Sequence, residues 1–223
     1  MNDLDSATAG RRALPGLSYP ERYLRDLALE LTERYDGTFN AETVERYVLE
    51  SYTALLRTAT VKTHLANRVI RFANDRLKAL AQAKGAVVSG VPEVLFVCVQ
   101  NAGRSQMAAV LTQALAGDRV HVRSAGSMPA ARLNPAVVQS LEELGLDVTQ
   151  EFPKPLTDDV VQAADVVVSM GCGDACPVYP GKRYLDWKLD DPEQLPLDEV
   201  RRVRDEVRAH VEALLGELGV AAR

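Results

Sequence analysis

A cysteine and an arginine flank a short loop in the stretch Phe96–Ala108, which reads FVCVQNAGRSQMA. Cys98 ends an apolar run, and Arg104 opens a helical pattern. The residues between them are Val99, Gln100, Asn101, Ala102 and Gly103. A loop this short that runs into a helix turns several backbone N–H groups inward and adds the positive end of the helix dipole. These groups would form a cradle for a tetrahedral oxyanion.

The side chains around this loop suit nucleophilic attack on such an anion. The guanidinium of Arg104 can donate two parallel hydrogen bonds to the oxyanion oxygens. The positive field favours a thiolate at Cys98, to which Ser105 can donate a hydrogen bond. Asn101 suits a turn position with positive φ, and Gly103 leaves a Cβ out of the crowded floor. The loop is therefore predicted to bind an oxyanion and attack its central atom. A buried cysteine beside an unrelated arginine is the structural alternative.

Two further cysteines and an acidic pair stand out farther along the chain. Cys172 and Cys176 lie four positions apart in a loop that follows a strand-like apolar run. Zinc is a weak alternative there, because two cysteines supply at most half of a ligand set and no histidine lies near them. Asp190 and Asp191 precede a proline, a pattern that also fits a solvated turn.

The composition is that of an ordinary globular protein. The chain has 223 residues, enough for two small domains, with 47% hydrophobic and 26% charged residues. A net charge of −5 gives no reason to expect nucleic acid or an anionic membrane as a partner. The apolar runs are too short to span a bilayer, and MNDLDSATAGRR has no secretory signal pattern. We therefore expect a cytoplasmic protein, with three thiols that are reactive or metal-bound rather than structural.

Residues 1–90 are predicted to form a three-helix bundle followed by a linker. The helical periodicity covers residues 20–35, 40–55 and about 61–84. Asn40 is the expected cap of the second helix, and Gly85 that of the C-terminus of the third. Glycine, serine and proline after Gly85 indicate the linker. The segment contains no cysteine, and nothing in it predicts catalysis.

Residues 91–223 alternate between strand and helix patterns. The predicted strands cover residues 94–99, 121–125 and 166–170, and the predicted helices begin near residues 105, 135, 158 and 197. This order implies an α/β fold, a parallel sheet with helices on both faces. Asn134 is the expected cap of the second of these helices, and Thr157 of the third. In such sheets ligands bind at the carboxyl ends of the strands, where Cys98 lies.

The pattern Cys-x5-Arg-Ser after the first strand of a small α/β domain resembles the low-molecular-weight tyrosine phosphatases. In that family the acid aspartate follows the cysteine in the chain, as Asp-Pro. The resemblance implies that Asp191 is the general acid that protonates a leaving oxygen. Asp190 is the adjacent candidate.

Within that fold the chain is similar to the thioredoxin-coupled arsenate reductases, which add two cysteines after a later strand. The similarity covers about residues 93–218 and includes the motifs SAG, KPLT, CGDACP and DDP. It implies that Cys98 attacks arsenate and that Cys172 then displaces arsenite by forming a Cys98–Cys172 disulfide. Cys176 would move the disulfide to Cys172–Cys176, which thioredoxin would reduce. No bound cofactor is implied, and no metal is expected because Ala109 replaces a glutamate that helps some members bind potassium.

Alternative functions remain open at this point. A phosphatase would use the same loop but would not need Cys172 and Cys176. Gly103 stands where the phosphatases have a second cysteine, and Glu193 and Gln194 stand where they have tyrosines, which argues against a site shaped for a phenyl ring. A reductase that uses a low-molecular-weight thiol would not need Cys176. A non-enzymatic arsenic-binding module would leave the cradle and the acid without a purpose.

The N-terminal segment resembles the helical domain attached to some actinobacterial arsenate reductases. The resemblance rests on the stretch TVERYVLESYTALLRTATVKTHL, which is unspecific. An amphipathic bundle offers surface and no chemistry. We therefore expect it to mediate partner docking or a homodimer.

Overall fold

The structure, a computed structural model, describes residues 20–59, 64–171 and 176–221. Cys172 lies outside these ranges. The chain divides into two compact units, and the division falls between Ala73 and Asn74. None of the helices in the described ranges is long and apolar enough to cross a membrane.

In the part of the chain that the structure describes, three helices precede the sheet, as predicted. They are α1 (Pro20–Arg34), α2 (Ala41–Leu56) and α3 (Leu65–Ala83). Asn40 caps α2, since its Oδ1 accepts a hydrogen bond from the backbone N–H of Thr43 at 2.9 Å. The hydroxyl of Tyr23 donates to the carbonyl of Ala66 at 2.9 Å and joins α1 to the start of α3. Buried apolar residues of the first unit include Leu24, Leu27, Leu31, Val44, Val48, Tyr52, Leu55, Leu65, Val69 and Phe72.

The second unit is built on a parallel four-stranded sheet. Its strands are β1 (Glu93–Cys98), β2 (His121–Gly126), β3 (Val166–Met170) and β4 (Arg183–Asp186). Their order is β2-β1-β3-β4, and every neighbouring pair is parallel. All residues of the central strand β1 are buried, as its continuous apolar run requires. The predicted α/β fold is confirmed, whereas β4 did not appear among the predicted strands.

Helices cover both faces of this sheet. They are α4 (Arg104–Ala116), α5 (Pro135–Glu142), α6 (Asp158–Ala163) and α7 (Leu197–Glu217). Side chains alternate between the two faces along β1, so that Val94 and Phe96 pack with α4, α5 and α7. Leu95 and Val97 pack on the other face with α6 and with Ala79 of α3. Thr157 occupies the N-cap of α6, although its hydroxyl makes no cap hydrogen bond.

The C-terminal part of α3, residues 74–83, lies within the second unit and is held there by buried charges. Arg76 contacts a carboxylate oxygen of Asp159 at 3.1 Å, and the two side chains are only 8% and 5% exposed. Arg123 of β2 contacts Asp75 at 3.2 Å. Removing one partner of a buried ion pair leaves an uncompensated charge, which is strongly destabilising. The division thus falls inside α3. The sequence predicts the domain boundary farther along the chain, at residue 90. That boundary stays a prediction.

Glu93 sits at the centre of this buried charge cluster. It pairs with Arg123, accepts a hydrogen bond from Gln82 at 2.5 Å and lies 2.7 Å from Nδ1 of His121. Burial alone would raise the pKa of Glu93. The hydrogen bond with His121 and the charges of Arg123 and His121 outweigh burial and lower that pKa to about 2. The carboxylate therefore stays ionised at neutral pH, and the cluster keeps its charge balance.

Candidate active site

The sheet brings the predicted nucleophile to the edge where three strands end. Cys98 is the last residue of β1 and is 2% exposed. Its register partners are Gly126, which ends β2, and Met170, which ends β3. A Cβ on Gly126 would lie 2.7 Å from the carbonyl oxygen of Val99. Only a glycine therefore lets β2 end this close to the residues that follow Cys98. We call residues 98–105 the catalytic loop.

The backbone of the catalytic loop is oriented as an anion cradle requires. Three of the carbonyl groups that come after Cys98 in this loop accept hydrogen bonds from the backbone of the segment that follows β2. The bonds run from Met128 to Val99 (2.8 Å), from Ala130 to Gln100 (2.9 Å) and from Asn134 to Ala102 (3.0 Å). In a trans peptide the next N–H points away from the carbonyl. The N–H groups of Gln100, Asn101 and Gly103 therefore point away from that segment, toward the inside of the loop.

The sulfur of Cys98 is surrounded by hydrogen-bond donors. The backbone N–H of Asn101 donates to it at 3.2 Å, and Oγ of Ser105 lies 3.0 Å away. Since Ser105 Oγ already accepts from Nδ2 of Asn101 at 2.8 Å, its own proton is available to the sulfur. Asn101 has a φ of 47°, the left-handed conformation predicted for it. The thiolate is the nucleophilic form of a cysteine, and both groups are placed to hydrogen-bond to it.

Asn101 also ties the catalytic loop to the rest of the second unit. Its Oδ1 accepts from Nε2 of Gln106 at 3.0 Å and from the backbone N–H of Lys154 at 2.8 Å. The same Gln106 amide donates to the carbonyl of Phe152 at 3.0 Å. Sequence reasoning found Asn101 through its backbone conformation but missed this role, because the partners at Phe152 and Lys154 are distant in the chain.

Arg104 and Asp191 face each other in the site. Nη2 of Arg104 donates to Oδ2 of Asp191 at 2.5 Å, and Nη1 lies 3.4 Å from the carbonyl of Leu189. The arginine side chain is 10% exposed, whereas the aspartate side chain is 55% exposed. Asp190 instead pairs with Arg202 of α7 at 2.9 Å. Of the two candidate acids, only Asp191 is brought to the arginine of the catalytic loop.

The segment that carries Asp191 rests directly on the catalytic loop. A Cβ on Gly103 would lie 2.7 Å from Cγ of Pro192, the residue after Asp191. The space that Gly103 was predicted to leave free is therefore occupied by this proline. Any larger residue at position 103 would have to push Pro192, and with it the acid, away from the loop.

Comparison with known proteins identifies this arrangement. The family model described as low molecular weight phosphotyrosine protein phosphatase matches residues 93–222, more than half of the chain. The chain belongs to this family. A second model, the N-terminal domain of protein-tyrosine-phosphatase-like proteins, matches residues 24–81.

Several proteins that resemble this chain bear the name arsenate reductase. The solved thioredoxin-dependent arsenate reductase of Corynebacterium glutamicum is 48% identical, with a TM-score of 0.82 over 89% of this chain and 97% of that one. A putative arsenate reductase of Halobacterium salinarum is 33% identical over 127 residues, 55% of this chain and 89% of that protein. Arsenate reductase 1 of Staphylococcus epidermidis is 35% identical over 123 residues, 53% of this chain and 92% of that protein. The resemblance stated from the motifs is confirmed.

The segment that leads to the second cysteine reaches Arg104. Gly171, the residue before Cys172, has a φ of 77°, and a Cβ there would lie 3.0 Å from Nη1 of Arg104. Cys172 itself lies outside the described residues. Cys176 is half-buried and packs beside the hydrophobic cluster of the face covered by α6. The chain that follows is fixed by Tyr184, whose hydroxyl donates to the carbonyl of Pro177 at 3.2 Å.

Two cavities flank the Arg104–Asp191 pair. The first has a volume of about 330 Å³ and is lined by Arg104, Ser169, Gly171, Asp186, Trp187, Lys188 and Leu189. The second, of about 220 Å³, lies beside Asp191 and Asn134. Among the described residues that line these cavities, Trp187 is the single aromatic one. Within the described ranges, no group of three or more His, Cys, Asp or Glu side chains could hold a metal ion.

Proposed function

We propose that this chain reduces arsenate to arsenite with Cys98 as the nucleophile and thioredoxin as the source of electrons. One observation carries the choice of a reductase over a phosphatase: the backbone of Gly171, next to Cys172 in sequence, lies against the guanidinium of Arg104. Phosphate ester hydrolysis needs no second thiol at this position. Disulfide formation with Cys98 requires a second thiol there. The thioredoxin-dependent relative from Corynebacterium glutamicum supports the same choice.

The first step is nucleophilic attack on bound arsenate. The inward N–H groups of the catalytic loop and the fork of Arg104 hold the tetrahedral anion, and Arg104 exchanges its bond to Asp191 for arsenate oxygens. The thiolate of Cys98 attacks arsenic. Asp191, which takes up a proton from water once Arg104 has left it, donates that proton to the leaving oxygen, which departs as water. A bond now joins the sulfur of Cys98 to pentavalent arsenic.

The second step reduces arsenic. The thiolate of Cys172 attacks the sulfur of Cys98, and the sulfur–arsenic bond breaks with its electron pair moving onto arsenic. Arsenic becomes trivalent and leaves as arsenite, which takes up protons from water. The two sulfurs, each oxidised by one electron, form the Cys98–Cys172 disulfide.

The third step regenerates the nucleophile. Cys176 attacks the sulfur of Cys172, which frees Cys98 as a thiolate and leaves a Cys172–Cys176 disulfide. The dithiol of thioredoxin reduces this disulfide and becomes oxidised itself. Because the cycle depends on thiols that are kept reduced, it fits a reducing compartment such as the cytoplasm.

We also propose that the N-terminal helices serve assembly or partner docking rather than chemistry. The residues assigned to the reaction all lie in the second unit. Leu29 of α1 and Leu49 of α2 are large apolar side chains that are 60% and 48% exposed. A homodimer would cover such residues. Light scattering of the full chain and of a Leu29→Glu, Leu49→Glu variant tests this, and an unchanged oligomeric state would exclude a dimer through these positions.

A coupled assay tests the proposed reaction. Arsenate-dependent oxidation of NADPH is measured with thioredoxin and thioredoxin reductase, and in parallel with a low-molecular-weight thiol and its reductase. We expect saturable turnover with thioredoxin and none in the Cys98→Ser variant, because an alkoxide forms far less readily than a thiolate. Turnover with the small thiol alone would assign a different reductant. Hydrolysis of an aryl phosphate without any arsenate-dependent NADPH oxidation would make the chain a phosphatase.

A further inference from the structure

Asn134 joins three parts of the site through three separate hydrogen-bonding groups. Its backbone N–H donates to the carbonyl of Ala102 in the catalytic loop at 3.0 Å. Its side-chain Oδ1 accepts from the backbone N–H of Ala136 at 2.9 Å and so caps α5. Its Nδ2 donates to the carbonyl of Pro192 at 3.0 Å. One residue thus connects the catalytic loop, a helix and the segment that carries Asp191.

Helix capping does not account for the third bond. Serine and aspartate cap a helix N-terminus about as well as asparagine, because capping needs only a side-chain acceptor. Asparagine adds an N–H donor on the same planar group. The partners fix which atom is which: the N–H of Ala136 requires an acceptor, and the carbonyl of Pro192 requires a donor. Asn40 provides a comparison, since its Oδ1 caps α2 by accepting a hydrogen bond from the backbone N–H of Thr43.

The third bond acts on the position of the acid. Pro192 is seated on Gly103 on one side and bonded to Asn134 on the other. Asp191 directly precedes this proline, and its half-exposed carboxylate is held by Arg104 and by the backbone N–H of Glu193. When an oxyanion takes over the guanidinium, the bond to Arg104 is lost. Pro192 then determines where the carboxyl group points.

We propose that Asn134 is a positioning residue for the general acid. It holds Pro192 against the catalytic loop and keeps Asp191 within reach of the leaving oxygen after arsenate has displaced Asp191 from Arg104. This proposal rests on the general-acid role of Asp191 in the proposed reaction.

The test compares variants that keep the cap and lose the donor. Asn134→Asp keeps the shape of the side chain, and Asn134→Ser avoids a new charge. Asn40→Ser is the matched control, since it changes a capping asparagine remote from Asp191 in sequence. Single-turnover release of arsenite from the reduced full chain should slow about five- to tenfold in both Asn134 variants. In the uncharged Asn134→Ser variant, affinity for inorganic phosphate should stay within about twofold of the wild type, because the cradle is unchanged.

A double-mutant cycle separates positioning from general loosening. In an Asp191→Asn background, Asn134→Ser should slow the reaction no further, since the group on which it acts is gone. A second slowing of the same size would overturn the proposal. So would a single variant that reacts at the wild-type rate.

Hydrogen exchange provides a readout that needs no activity. Exchange in residues 187–195 should accelerate in Asn134→Ser, while exchange in α5 stays within about twofold of the wild type. Equal acceleration in both segments, or in neither, contradicts the positioning role. If the wild-type protein releases no arsenite, the proposed function fails. The exchange experiment then still decides the role of Asn134.

Discussion

The carboxylate of Asp191 lies 2.5 Å from the guanidinium of Arg104, so the proposed general acid occupies the group that is proposed to bind the substrate. A carboxylate and an arsenate oxygen compete for the same N–H donor. In the proposed reaction, substrate binding would therefore free Asp191 from Arg104 before the leaving oxygen needs a proton. This arrangement links occupancy of the cradle to the freedom of Asp191.

Asp191→Asn is expected to separate substrate affinity from turnover. The amide no longer competes as an anion for Arg104, so phosphate should bind several-fold more tightly. The proton donor is lost, and turnover should fall by about 10² or more. Calorimetric phosphate titration and the coupled assay measure the two effects. Asp190→Asn is the matched control, because Asp190 pairs with Arg202 and should leave both values unchanged. Weaker phosphate binding by Asp191→Asn would contradict the competition.

Gly171→Ala is expected to weaken oxyanion binding through Arg104. The added Cβ would lie 3.0 Å from Nη1, so the guanidinium must shift. Gly171 has a φ of 77°, and part of any effect is backbone strain. Gly181→Ala controls for strain, since Gly181 has a φ of 79° and a Cβ added there would meet no atom within 4 Å. Phosphate affinity should fall about tenfold in Gly171→Ala only. Equal phosphate affinities in the two variants would show that Gly171 does not influence oxyanion binding.

The C-terminal part of α3 is expected to stabilise the catalytic unit. A fragment of residues 91–223 lacks Arg76 and Asp75, which leaves the buried charges of Asp159 and Arg123 without these partners. A fragment of residues 74–223 keeps them. Urea unfolding should show the shorter fragment to be less stable by about 3 kcal/mol or more. Both fragments contain every residue assigned to the chemistry. Equal stability of the two would place the boundary at residue 90, as the sequence predicts.

The sequence predicts those parts of the fold whose signals are local. The uninterrupted apolar run of β1 and the Asn-Pro start of α5 identify their elements directly. The edge strand β4 was missed because its four residues RYLD are partly or fully exposed and show no alternation. The role of α3 in the second unit was missed for another reason. Arg76 and Asp159 are 83 positions apart, and no spacing rule connects them.

The same distinction applies to the site. The catalytic loop was predictable because its cysteine, arginine and serine lie within eight residues of one another. The link from Asn134 to Pro192 spans 58 positions and depends on how two loops meet. Asn134 was recognised only as a helix cap, since that is all its neighbours in the sequence reveal. Asp191 was preferred over Asp190 because it directly precedes Pro192, and the fold adds that Asp191 pairs with Arg104 whereas Asp190 pairs with Arg202.

Cys176→Ser is expected to separate the three-thiol relay from the other mechanisms. The reduced variant should release one arsenite per chain and then stop with a Cys98–Cys172 disulfide, since Cys172 can still displace arsenite but no third thiol frees Cys98. Cys172→Ser should stop earlier and release little arsenite. Non-reducing peptide mapping after one dose of arsenate identifies the paired cysteines. When reduced, Cys176→Ser should keep any hydrolysis of a small aryl phosphate, which needs only Cys98, Arg104 and Asp191. Normal turnover of this variant with thioredoxin would mean that the reductant attacks the Cys98–Cys172 disulfide directly, and Cys176 would have no part in the cycle.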